Sequence, residues 1–111
     1  MKKLLIALLS LTAVACTEMT EEERHAFKCT NEVDHNIALK AHIKARLRSP
    51  STADFASYSQ TKFNREPECR MLIRGYADSQ NGFGATIRTH YSAFTRYDAA
   101  SKSFIVESTD L

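Results

Sequence analysis

No segment of this chain is long and apolar enough to span a bilayer as a helix, which needs about 20 predominantly apolar residues; its most apolar run covers only residues 4–11. A Gly-x-Ser-x-Gly elbow, a phosphate-cradling glycine loop and a Cys-x-x-Cys pair are all missing, and with them the usual signatures of acyl transfer, nucleotide hydrolysis and dithiol redox chemistry. There are no internal repeats and no low-complexity tracts. A surplus of one charge is lacking too. The formal net charge of +2 includes Lys2 and Lys3; past them the remaining basic residues only balance the 13 acidic ones. A global basic footprint for nucleic acid is therefore excluded. Cysteine is limited to Cys16, Cys29 and Cys69, an odd number.

What is present begins with an export signal. Lys2 and Lys3 form its positive start, residues 4–11 its apolar centre and Ala13-Val14-Ala15 a small-residue cleavage site. The mature chain would then begin at Cys16. Ala-Val-Ala suits the ordinary signal peptidase, which would release a soluble secreted protein, whereas a cysteine directly after the cut suits lipoprotein processing. The cysteine count separates the two, because an odd thiol in an oxidising compartment is a liability unless it is modified. Acylating Cys16, with palmitate for example, leaves an even pair. The residues before Cys16 resemble the bacterial lipobox, with Ala13 where that motif prefers Leu. Thr17 stands where lipoproteins kept in the inner membrane carry Asp. The resemblance implies an acyl anchor in the outer membrane, facing the periplasm or cell surface, if the host is Gram-negative.

Residues 1–15 are thus a signal peptide, 16–23 a lipidated tether and 24–111 one α+β domain, a length that supports one core and not two. Thr20 with Glu23 three residues later forms a capping box, and Glu21 and Glu22 suit the positive end of a helix dipole. At about 100° per residue, Ala26, Cys29, Val33, Ile37, Ala41, Ile43 and Leu47 share one side, with His35, His42 and Arg46 opposite. One long amphipathic helix to about residue 48 follows, unless Thr30 and Asn31 break it, with Asn31 and Asp34 as caps of a second. Pro50 ends the helix. Beyond it the period changes to two, predicting strands over 53–63, 68–77, 83–97 and 102–107. Turns are expected at Glu66-Pro67 and over 79–82, where Asn81-Gly82 suits positive φ angles. The expected fold is one long helix packed on a four-stranded antiparallel meander.

Alternation places Cys69, Met71, Ile73, Gly75 and Ala77 on one face of the second strand, and Phe83, Ala85, Ile87, Thr89, Tyr91 and Ala93 on one face of the third. These faces should look inward. Cys29, on the helix stripe, then meets Cys69, predicting a structural disulfide. The opposite face shows Arg70, Leu72, Arg74, Tyr76, Thr86, Arg88, His90, Phe94 and Arg96. Of these, Arg70, Arg74, Tyr76, Arg88, His90, Phe94 and Arg96 form a candidate binding face for an acidic protein patch or an anionic glycan, since arginine and aromatics dominate binding hot spots. The plain alternative is a solvated sheet face. On helix spacing no metal site is expected: His35 and His42 lie two turns apart, and His25 and His90 have no evident carboxylate or cysteine companion. No catalytic residue, metal or cofactor is expected. Glu66 and Glu68, flanking Pro67, read as a solvated turn.

Leu47-Arg48-Ser49-Pro50-Ser51-Thr52-Ala53-Asp54-Phe55, followed by Tyr76-Ala77-Asp78-Ser79-Gln80-Asn81-Gly82-Phe83-Gly84-Ala85 and then Arg88, resembles a recurrent domain of small, functionally uncharacterised exported lipoproteins of bacteria and phages. The likeness covers about residues 36–107. It implies a helix, a strand after Ser-Pro-Ser-Thr-Ala and a Gln-Asn-x-Phe-Gly hairpin, and it carries no reaction. The expected function is a non-catalytic, membrane-anchored envelope binding module. The alternative from another class is a phage-derived exclusion or inhibitor lipoprotein that blocks a receptor or enzyme.

Overall fold

The computed structural model describes residues 18–111; the expected export signal and Cys16 lie outside them. The first helix, α1 (Glu21–Thr30), begins as the acidic run predicts. The Thr20 hydroxyl accepts from the Glu23 N–H at 3.1 Å, and the Glu23 carboxylate accepts from the Thr20 N–H at 3.0 Å. That bond from the Thr20 backbone also holds the Glu23 carboxyl below the usual carboxylate range. Residues 21–23, expected in the tether, are therefore helical.

The helix does break. Asn31 is extended, with φ −79° and ψ 99°, and its side-chain oxygen accepts from the Asp34 N–H at 3.1 Å, starting α2 (Glu32–Arg46). One residue thus ends one helix and caps the next, and the expected single long helix is two. The break also turns the buried face. In α2 the buried residues are His35, Asn36, Leu39 and Ile43, whereas Val33 and Ile37, expected inward, are 52% and 61% exposed. His35, expected on the solvent side, is fully buried. Leu47 is already extended, so the helix stops before Pro50, which instead opens a short 3₁₀ turn, Pro50–Thr52.

The sheet is antiparallel and has five strands: β1 (Asp54–Phe55), β2 (Lys62–Glu66), β3 (Arg70–Gln80), β4 (Thr86–Asp98) and β5 (Ser103–Asp110). The expected first strand is split in two. Between its halves the chain leaves the sheet through a 3₁₀ turn, Tyr58–Gln60, closed by the buried Thr61, whose hydroxyl donates to the Ser57 carbonyl at 2.9 Å. Both halves pair with the same edge of β3, β1 at Phe55↔Ala77 and β2 from Lys62↔Arg74 to Glu66↔Arg70. β4 lies between β3 and β5.

The β3–β4 hairpin is wider than a two-residue Asn-Gly turn. Gln80 pairs with Thr86, and Asn81 organises the loop between them, its side-chain oxygen accepting from the Phe83 and Ala85 N–H groups at 2.9 and 3.0 Å. The positive φ of 82° falls on Gly84, not on Gly82.

Alternation positions the core. Met71, Ile73 and Ala77 of β3 and Tyr91 and Ala93 of β4 pack against Leu39 and Ile43 of α2, with Leu47, Phe55, Phe63 and Val106 around them. The inward face fails only near the hairpin, where Ile87 is 47% and Phe83 97% exposed. There α2 has ended, leaving an open cleft of 270 Å³ lined by Arg46, Leu47, Arg48, Gln80 and Ile87 among others.

Gly75 marks a close approach within this core. A Cβ at that position would lie 2.8 Å from the Tyr91 Oη and 3.0 Å from its Cζ, and Tyr91 is buried. Gly75→Ala is expected to destabilise the fold by about 1–3 kcal/mol through overpacking. Adding Tyr91→Phe, which removes the nearest atom, should recover part of that loss in urea unfolding. An additive double mutant would show that the strain lies elsewhere.

Candidate functional site: the outer face of the sheet

The register places the expected face residues together. Arg70 stands opposite Arg96, Leu72 opposite Phe94, Arg74 opposite Ser92, Tyr76 opposite His90 and Asp78 opposite Arg88. Their side chains share a face because β3 positions of one parity pair with β4 positions of the same parity, turned away from α2. The rings of Tyr76 and His90 meet edge to face, 6.0 Å apart.

Most of the face's positive charge is already spoken for. The Arg88 guanidinium lies 3.7 Å above the Tyr76 ring and donates to both carboxylate oxygens of Asp78, at 2.8 and 2.9 Å. This fork depresses the Asp78 carboxyl below its ordinary range and raises Arg88 above its own. Arg70 sits 4.7 Å over the Phe94 ring and donates to Glu107 at 2.7 Å, while Arg96 reaches the other Glu107 oxygen at 3.1 Å and Asp98 at 3.4 Å. Glu107 is held below the carboxylate range, first by the Arg70 bond. Asp98 is also lowered, mainly by the Ser101 hydroxyl. Exposed pairs of this kind fix side-chain direction more than they stabilise. Arg70, Arg88 and Arg96 are thus turned inward on carboxylates that the sequence reading left out.

Arg74 is different. Its cross-strand partner on β2 is Lys62, and among the described residues neither forms a salt bridge. Like charges directly opposite one another cost stability unless something neutralises them. The two cations border an open cavity of 350 Å³, with Gln60, Tyr76, His90 and Gly75 among its other walls. It lies where β3's edge passes from pairing with β1 to pairing with β2. The Tyr76 hydroxyl donates to Gln60 Oε1 at 2.9 Å, tying the 3₁₀ turn to the wall. Lys62 and Gln60 were not expected at the site. The alternation of Lys62, Asn64 and Glu66 held the signal for Lys62, but only once the second half of the split strand is placed in register. Chemically, the cavity offers two cationic donors, an imidazole and an aromatic wall, a combination suited to an anionic oxygen group.

Just before Arg70, Cys69 forms the expected disulfide with Cys29, their Cα atoms 4.5 Å apart. Cys16, the expected lipidation position, lies outside the described residues. His25 does have cysteine companions: Cys29, one helical turn on at i+4, was open to the sequence, and only Cys69 needed the fold. Its Nε2 lies 3.5 Å from the Cys29 sulfur and 3.3 Å from that of Cys69.

No protein-family model, curated protein or solved structure matches the chain.

Proposed function

We propose that this protein is a lipid-anchored envelope lipoprotein acting as a non-catalytic binding module. Its export signal ends in Cys16, which would carry the acyl chain, and Thr17 favours the outer membrane. The observation that carries the binding reading is the Lys62–Arg74 pair, two facing cations without a carboxylate partner among the described residues, beside face arginines at 70, 88 and 96 that each have one. An anionic group of another envelope component, a protein's acidic patch in the first instance and an anionic glycan in the second, would supply the missing charge. Tyr76 and His90 would line the contact.

Photo-crosslinking in cells from position 92, opposite Arg74 on β4 so that both cations stay in place, with Cys16→Ala as the unanchored control, tests this directly. A discrete adduct that needs the anchor and disappears in Lys62→Glu is the expected result. Arg96→Ala, which removes a guanidinium already held by Glu107 and Asp98 and absent from the cavity wall, should leave the adduct at a half or more of its yield. Absence of any adduct from folded, membrane-bound protein would overturn the binding role of this face.

A further inference from the structure

We propose that, when the Cys29–Cys69 disulfide is reduced, His25, Cys29 and Cys69 become a three-ligand site for a zinc ion. Among the described residues they are the one cluster of three histidine, cysteine or carboxylate side chains whose ligand atoms all lie within 4.8 Å of one another. His25 and Cys29 are four residues apart on α1, the spacing that sets two ligands one above the other on a single helix face. Cys69 arrives from the β2–β3 turn, where Glu68 and Cys69 both take left-handed backbone angles, φ 65° and 59°. A non-glycine residue adopts that conformation only when its surroundings hold it there. Here the Cys69 carbonyl accepts from the Tyr97 N–H at 3.0 Å, and the His25 ring rests 5.7 Å from that of Tyr97, so the two sides of the site share one support.

The distances fit the ion. Tetrahedral zinc with bonds of about 2.3 Å to sulfur and about 2.0 Å to nitrogen holds a histidine nitrogen and a cysteine sulfur about 3.5 Å apart. His25 Nε2 already stands at 3.5 and 3.3 Å from the two sulfurs. Only the sulfurs need to part, from a covalent bond to about 3.8 Å. The chemistry balances with an external thiol as reductant. Two thiols attack in turn and leave joined as their own disulfide, the Cys29–Cys69 bond breaks, and the two protons the thiols lose end on the cysteine sulfurs. Zinc then displaces both protons to solvent and binds two thiolates and a neutral imidazole, a set whose charge cancels that of the ion. With His25 exposed and the two cysteines only part-buried, a fourth position would be left to water or an exogenous ligand.

Disulfide and zinc are thus alternative cross-links between the same two points of the chain, chosen by the thiol supply. The test is titration of the protein with zinc, and with cobalt(II) as a spectroscopic substitute, in its oxidised form and under a phosphine reductant. The reduced protein should take up one equivalent with sulfur-to-cobalt charge transfer and a raised melting temperature, and the oxidised protein should show neither. His25→Ala should weaken zinc uptake by at least about tenfold, since even outer partners of a metal site are worth that much, while lowering the melting temperature of the oxidised form only by the small amount that the lost Tyr97 contact costs. Cys69→Ser should abolish uptake. If the reduced chain unfolds without metal, zinc that restores the folded circular dichroism spectrum supports the site, and zinc that binds without refolding overturns it. Undiminished uptake by His25→Ala, or equal uptake by the oxidised protein, would overturn it as well.

Discussion

Reduction of the Cys29–Cys69 disulfide in metal-free buffer is expected to lower the unfolding free energy by about 4 kcal/mol. The bond spans 40 residues of sequence, and in the chain-entropy model closing a loop of that size restricts the unfolded chain by about this amount. For a small domain whose total stability lies in the range of about 5–15 kcal/mol, that is a large share. It corresponds to a fall in melting temperature of roughly 15–30 °C, from about 4–8 °C per kcal/mol. The native side of the balance points the same way. Nothing in α1 is buried, so apart from the disulfide its ties are the bond from His35 to the Cys29 carbonyl, the Lys28–Asp34 ion pair at 3.6 Å and the His25 ring against Tyr97. Amide exchange over Glu21–Thr30 should therefore quicken before that of β3 and β4, whose core residues lie on the other side of the cross-link. Urea unfolding with and without reductant reads the main effect. The slope against urea should steepen on reduction, because the unlinked unfolded chain exposes more surface. A loss below about 1 kcal/mol would show that the unfolded state is not the disulfide's main point of action.

What the sequence makes legible here is whatever depends on residue parity alone. Once two strands are known to be antiparallel, every second residue shares a face, so Met71, Ile73, Ala77, Tyr91 and Ala93 look inward while Arg74, Tyr76, Arg88 and His90 look outward. The disulfide was legible from the even pair left once Cys16 is set aside and from the parity of Cys69, while the helix projection that also favoured it does not hold. The helix face was not, because a projection assumes one continuous helix and a single capping residue, Asn31, resets the phase. Propensity made a break at Asn31 conceivable, yet only packing against Thr95 and Phe104 decides that His35 turns inward. The split first strand was hidden as well, because Ala56 to Thr61 alternate acceptably and their departure from the sheet rests on backbone bonds. Charge pairing was the least legible feature. Glu107 reaches Arg70 and Arg96 from β5, whose register against β4 shifts at Phe94/Thr95. No local pattern reports such a shift, so arginines that looked available in the sequence are committed in the fold, and Lys62–Arg74 stands out only in three dimensions.

Replacing His35 by Ala is expected to cost about 2–4 kcal/mol, and the wild-type protein should lose stability as pH falls below about 6.5 in a way the variant does not. His35 is fully buried and uses both ring nitrogens, with Nε2 2.9 Å from the Cys29 carbonyl oxygen and Nδ1 2.7 Å from the Thr95 hydroxyl. A carbonyl can only accept, so Nε2 carries the proton; in the neutral ring Nδ1 then accepts from Thr95. Phe104 packs against the ring edge to face, with centroids 4.7 Å apart. Truncation to Ala leaves a cavity and removes the ring's bonds to the buried Thr95 hydroxyl and the part-buried Cys29 carbonyl. Burial also pushes the His35 pKa below its usual value, and this outweighs the Cys29 carbonyl and the neighbouring Asp34, which both favour the charged ring. The unfolded chain, with an ordinary histidine, therefore binds a proton at higher pH than the folded one. The contribution is complete above the unfolded value and is lost as pH falls toward and through the folded one. Glu23, Asp78, Asp98 and Glu107 are all lowered from their usual carboxylate values, so their protonation acts at lower pH and leaves the first acid loss to His35. Urea midpoints at several pH values for wild type, His35→Ala and His35→Gln separate the two effects. Gln keeps a donor for the Cys29 carbonyl and should recover part of the stability, yet it cannot titrate. Equal pH slopes in wild type and His35→Gln would mean that His35 is already charged in the fold or that another group governs the acid transition. A slope confined to the wild type would identify His35 as the joint through which protonation loosens α1, and the Cys29 it carries, from the sheet.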